Sequence, residues 1–180
     1  MERLFPFTDE ECIPTAYRDT PIGDLVRFHE LGMEPAPYDQ PELLVGMCMD
    51  HRKKLRIPEN FAFVLRAGGA NLRASEFKVS FAIALGGIQS IALIAHSRCG
   101  MVNMAARREE FVGGLVERGG WSRELAAEHF DAYAPLFEIG NAIDFVLVET
   151  DRLRRRYPRV TVAPLFYEVD DGRLYGVRES

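Results

Sequence analysis

The residues with the richest chemistry are two cysteines and a histidine. Ile91-Ala-Leu-Ile-Ala95 is a short apolar run that reads as a buried strand, and it runs into His96-Ser-Arg-Cys99. Leu43-Leu-Val-Gly-Met47 has the same layout and leads straight into Cys48-Met-Asp-His-Arg52. In open α/β sheets, ligands gather at the carboxyl ends of strands. If the two strands are parallel neighbours, Cys48, His96 and Cys99 converge on one point. Two thiolates and an imidazole suit zinc, and three protein ligands leave a fourth position open for chemistry. A His-x-x-Cys alone is common. Joined to a Cys-x-Asp-x-Arg at the end of a second strand, it becomes specific.

Together, Cys48-x-Asp50-x-Arg52 and His96-x-x-Cys99 resemble the two signatures of the β-class carbonic anhydrases. The resemblance runs from about Leu43 to Met101, and Asp171-Gly-Arg-Leu174 is similar to the family's closing hairpin. It implies Zn2+ held by Cys48, His96 and Cys99. It also implies that Arg52 holds Asp50 by charge-assisted hydrogen bonds, and that Asp50 accepts from the zinc-bound water. In some members the Asp instead takes the fourth metal position and shuts the site. A metal lowers the pKa of bound water from about 15.7 towards about 7, so the implied reaction is zinc-bound hydroxide attacking carbon dioxide to give bicarbonate. His51, inside the first motif, is a candidate proton carrier. The resemblance further implies a homodimer or higher homo-oligomer.

Three positions depart from the family pattern. His51 stands where a small Ser is usual, and Arg98 where Asp is usual. The turn Arg66-Ala-Gly-Gly carries Ala67 where the family has Asn. The connection after Arg52 is short and lacks a helix. These changes spare the ligands and bear on the pocket for carbon dioxide and on proton exit. Two alternatives follow from them. One is a non-catalytic relative whose metal is structural or sensory; the other is a hydrolase of a related carbon–sulfur substrate.

The elements that must position these residues follow from periodicity. Residues 1–19 show no clear period and read as an N-terminal arm or loop. Thr20-Pro21 reads as an N-cap followed by proline at the first helical position, opening a helix to Gly32. Pro35, Pro37 and Pro41 make the next segment extended. Phe61–Leu65 reads as a second strand, and Arg66–Asn71 as a glycine-rich turn. A helix over Ser75–Leu85 ends at Gly86-Gly87, and the third strand begins near Ser90. Gly100 is expected to open a helix running to Arg118, which would put Cys99 at a helix N-terminus where a thiolate is favoured. Ser122 is expected to cap a short helix to Phe130, and Pro135 to open a longer one through Arg156. Arg159–Val169 reads as a strand in which Pro164 points to an edge or a bulge. Asp171-Gly172 is a hairpin turn signal before a last strand, Arg173–Val177. Alternating strands and helices imply an α/β fold: a mainly parallel central sheet flanked by helices, with an antiparallel C-terminal edge hairpin.

A chain of 180 residues fits a single domain with a substantial core. A net charge of −5 without a dominant basic tract argues against nucleic acid as a main partner. The longest apolar stretch, Val79–Ala95, is interrupted by glycines and polar residues and is short for a membrane span. The N-terminus has no charged-then-apolar signal pattern, and three cysteines are an odd number, so a reducing, cytoplasmic setting is expected. Cys12 reads as a plain thiol, His29 and His129 as structural or solvent-facing, and the arginines at 152–156 as a solvated helix end.

Overall fold

Two buried strands, one of five residues and one of seven, form the middle of the sheet. The computed structural model describes residues 3–34 and 36–179, so Met1, Glu2, Ser180 and Pro35, the first proline of the expected extended segment, lie outside the described residues. The strands are β1 (Leu4–Pro6), β2 (Leu43–Met47), β3 (Ala62–Arg66), β4 (Ser90–His96), β5 (Thr161–Glu168) and β6 (Arg173–Val177). The helices are α1 (Thr15–Arg18), α2 (Pro21–His29), α3 (Glu76–Ala84), α4 (Arg108–Gly119), α5 (Arg123–Phe137) and α6 (Ala142–Arg156). The sheet order is β1-β6-β5-β4-β2-β3. β3, β2, β4 and β5 run parallel, while β6 and β1 add an antiparallel margin. This is the α/β arrangement expected from the sequence.

Every residue of β2 and β4 is buried. A strand covered on both faces has no need of polar alternation, which is why both read as continuous apolar runs. Successive side chains still go to opposite faces. Leu43, Val45 and Met47 of β2 join Ala92 and Ile94 of β4 against Ile22, Leu25, Val26 and Phe28 of α2. Leu44, Ile91 and Leu93 face the other way, against Val79 and Ala82 of α3 and Val146 and Leu153 of α6. Each of the larger of these side chains stabilises the fold by about 1.5–3 kcal/mol relative to exposure. The Thr20 hydroxyl accepts from the Ile22 N–H, as expected for an N-cap with proline at N1.

Three expectations are corrected and a fourth is refined. The N-terminal segment is not structureless: β1 pairs with β6, and Phe7 and Ile13 are buried in the core. Gly100 does not open a helix, because Arg98 and Asn103 have left-handed backbones and a 3-10 turn starts only at Met104. Pro135 opens nothing; it lies in the last turns of α5, and the break comes after Phe137, with Asn141 capping α6. β5 is an interior strand only from Leu165 onward; Pro164, in register with Leu93 of β4, has no partner on the β6 side, so the expected edge is present locally. Pairing with β6 begins at Leu165, so the residue that lacks an N–H stands just outside that ladder.

Candidate metal centre

β2 and β4 are parallel neighbours, and their register sets Met47 beside Ile94. Cys48 therefore leaves the sheet level with the end of β4, where His96 is the last strand residue. The side chains of Cys48, His96 and Cys99 come together, with one ligand atom from each within 4.8 Å of the others. The two sulfurs are 4.0 Å apart. Two thiolates on one tetrahedral zinc, at about 2.3 Å each, would sit about 3.8 Å apart. All three residues are buried.

His96 is oriented by its own neighbour. Its Nδ1 lies 2.9 Å from the Ser97 carbonyl, an acceptor only, so the ring proton sits on Nδ1. That leaves Nε2 as a bare lone pair, buried and without a hydrogen-bond partner among the described residues. A buried polar atom left unpaired is costly unless something outside the polypeptide satisfies it. A divalent metal does so, and the donor set fits zinc.

The thiols are not activated by a helix end, because no helix begins at Cys99. The Cys48 thiol is instead pushed well below its usual range, first by the Cys99 S–H and further by the N–H groups of Asp50 and Gly69, against the opposing effect of burial. Cys99 is pushed up, first by its hydrogen bond to Cys48 and then by burial. The Gly69 N–H lies 3.3 Å from the Cys48 sulfur. Gly69 has φ +62°, and a Cβ there would come within 2.8 Å of the Ile139 side chain, so this close approach needs glycine.

Asp50 and Arg52 form a fork within the first turn. Arg52 Nε donates to Oδ1 at 2.9 Å, Nη2 to Oδ2 at 2.6 Å, and the Arg52 backbone N–H to Oδ1 at 3.0 Å. The guanidinium holds the Asp50 carboxyl well below the usual carboxylate range. Asp50 does not join the converging cluster of three. Arg52 Nη2 also donates to the Arg98 carbonyl at 3.1 Å, so one guanidinium ties both motif turns together. The Arg98 charge itself is turned outward to Asp170.

Comparison with known proteins bears on the fold. No family model and no curated protein matches the sequence. Among solved structures, a carbonic anhydrase from Glaciozyma antarctica superposes with a TM-score of 0.61 over 90% of this chain and 98% of that one, at 21% identity. The β-carbonic anhydrase isoform I of Trichomonas vaginalis gives 0.62 over 80% and 87%, at 17% identity. The fold is that of the β-carbonic anhydrases. A carbon disulfide hydrolase shares it, with a TM-score of 0.56 over 78% of this chain and 82% of that one, at 21% identity.

Within this β-carbonic anhydrase fold, two residues that the motifs do not include shape the site. Arg66, at the end of β3, donates from Nη1 to the carbonyls of Cys48 and Asp50, both at 3.2 Å, and from Nη2 to that of Lys53 at 3.4 Å. Lys53 reads from sequence as part of a polar connection, yet it is buried with its Nζ 3.5 Å from the Asp50 carbonyl. Burial pushes its ammonium pKa down. Arg66 stands in the sequence as the first residue of the family-like turn Arg66-Ala-Gly-Gly, with no role assigned to it; nothing marked Lys53. An apolar cavity of about 270 Å³ lies alongside, lined by Met49, Gly68, Met101, Met104 and Phe130 among others. His51 is exposed, and His29 is buried with both ring nitrogens hydrogen-bonded.

Proposed function

We propose that this chain is a divergent member of the β-class carbonic anhydrases that hydrates carbon dioxide to bicarbonate with Zn2+ as cofactor. The observation that carries the reading is the convergence of Cys48, Cys99 and the unpartnered Nε2 of His96 beside a carboxylate clamped by arginine. Cys48, His96 and Cys99 would hold the metal. When bound, zinc supplies Lewis acidity that makes a water nucleophilic near neutral pH.

The polypeptide does the rest. Asp50, kept ionised by Arg52, accepts a hydrogen bond from the nucleophile and fixes the direction of its lone pair. Arg52 keeps Asp50 from competing for the metal, which favours an open, catalytic centre over a closed, structural one. The apolar, methionine-lined cavity beside the three ligands suits a small, linear, uncharged molecule. Proton exit passes to buffer or to His51 at the surface. The three cysteines are free thiols, which suits a reducing compartment such as the cytoplasm. A second reading, hydrolysis of a related carbon–sulfur compound, is favoured by the fold shared with a carbon disulfide hydrolase and by the soft, thioether-rich cavity.

The test is stopped-flow carbon dioxide hydration on protein of measured zinc content. One zinc per chain and rapid hydration are expected, with turnover falling about 100-fold or more in Asp50→Ala while zinc is retained. Full zinc with no hydration at any pH would rule out the activity, and turnover on a carbon–sulfur substrate would then select the second reading. A chain unable to take up metal would end both.

A further inference from the structure

Lys53 breaks the pattern of the turn it belongs to. His51, Arg52 and Lys54 are exposed, as a polar connection should be, yet Lys53 is only 1% exposed. An ammonium group has three N–H donors. Among the described residues, Lys53 Nζ has one acceptor, the Asp50 carbonyl at 3.5 Å, which is at the outer edge of hydrogen-bonding range. No carboxylate pairs with it among those residues. A lysine shut away from water is normally paired, because a lone buried charge is costly. Glu149, the other charged side chain buried to this degree among the described residues, obeys the rule: Arg152 donates to it from Nε and Nη2, both at 2.9 Å.

The other cations near the candidate metal centre are committed elsewhere. Arg52 is forked on Asp50, and Arg98 is turned outward to Asp170. Arg66 is exposed and donates to three backbone carbonyls. What remains to answer the Lys53 charge is the centre itself. Burial is the main effect on its pKa and lowers it, while the charges of Cys48, Asp50 and Cys99 favour the ammonium and Arg66 opposes it. Asp50 is already matched by Arg52. Two thiolates and a divalent metal sum to zero. Beside a loaded centre, Lys53 would therefore stand uncompensated until an anion joined the metal.

We infer that Lys53 is an electrostatic positioning residue for anions at the loaded centre: its buried ammonium supplies the positive charge that an anionic fourth ligand balances. The inference rests on the proposed metal centre and adds a residue outside its two motifs. Hydroxide and bicarbonate, the anions of the proposed reaction, each bring one negative charge. So does hydrosulfide, released when a carbon–sulfur compound is hydrolysed. A neutral ligand gains nothing from Lys53. In a site shielded from water such a charge acts strongly over several ångströms.

Calorimetric titration of the zinc-loaded full chain with azide, an anion, and with imidazole, a neutral donor, tests this, with zinc content and hydration measured on the same samples. Lys53→Met keeps the length of the side chain and removes its charge. Azide affinity should fall about tenfold or more, while imidazole affinity and zinc content stay as in the wild type. Lys53→Gln, neutral but polar, should give the same contrast. Neither variant should melt earlier, since replacing a lone buried charge by an uncharged side chain of similar size is neutral or stabilising. Unchanged azide affinity overturns the inference. So does a parallel loss of azide and imidazole, or a lower melting temperature in both variants, because either would make the ammonium a support of the fold. A zinc-loaded wild type that binds no azide overturns it as well. A chain that takes up no zinc ends the proposed centre and this inference together, whereas the azide contrast in a zinc-loaded chain without hydration would keep the inference and sink only the activity.

Discussion

Asp50 is useful to the centre only while it is held. In the proposed centre a free carboxylate beside the cation would become a ligand, and Arg52 would prevent this with the two parallel N–H···O bonds and the third from its own backbone that hold Asp50. Geometry matters more than charge here, because a lysine supplies one point donor where arginine supplies a planar fork. Arg52→Lys should therefore keep the zinc yet lower hydration about 10–100-fold, the usual cost of disturbing a partner behind a metal site. Equal activity in that variant, measured at matched zinc content, would show that charge alone suffices. At this scale the candidate site was legible before any coordinates, because five residues of four types in two fixed-spacing motifs carry it. What could not be read was the partner of His96: the acceptor is a backbone carbonyl, which every residue possesses.

At the scale of elements, the important part is the turn from Cys48 to Lys53. It belongs to no helix or strand and is braced by Arg66, which gathers three of its carbonyls. Arg66→Met keeps the length of the side chain and removes those donors. Thermal unfolding should show a loss of about 1–3 kcal/mol. Chelator competition should show weaker zinc binding, while Arg66→Lys recovers part of both. An unchanged zinc affinity would mean that β2 alone positions Cys48.

The strands were legible almost to the residue, since burial on both faces leaves an uninterrupted apolar signature. The helices after β4 were less so. Gly100 resembles a helix opening only if Arg98 and Asn103 are right-handed, and neither is. Pro135 resembles a helix start, but proline without its N–H also fits inside α5 near its end, where α5 remains continuous to Phe137. The first strand was hidden because three residues show no period at all.

Across the whole molecule, His29 joins parts that are distant in sequence. Its Nδ1 accepts from the Arg56 N–H at 3.0 Å, and its Nε2–H donates to the Gly172 carbonyl at 3.0 Å. Helix α2, the segment after the site turn and the β5–β6 hairpin thus meet on one neutral ring. Burial is the main effect pushing its pKa below the usual value, although Glu30 lies 3.7 Å away and opposes the shift. The unfolded chain takes up a proton near pH 6.5 that the folded chain resists. The contribution of His29 is therefore complete above that pH and declines as pH falls from about 6.5 towards the depressed folded value. Urea midpoints should drop between pH 8 and pH 5 in the wild type, and less steeply in His29→Gln. Parallel slopes would remove His29 from the account.

Cys48 and Cys99 are 51 positions apart in a chain of 180, yet they meet because β2 and β4 lie side by side. An ion shared by the two is a cross-link, and closing so long a span in a disordered polymer carries an entropic cost of roughly 4 kcal/mol. Pairing of the central strands meets that cost beforehand. In the proposed zinc form, metal capture would therefore come late, to an architecture that the strands have already built.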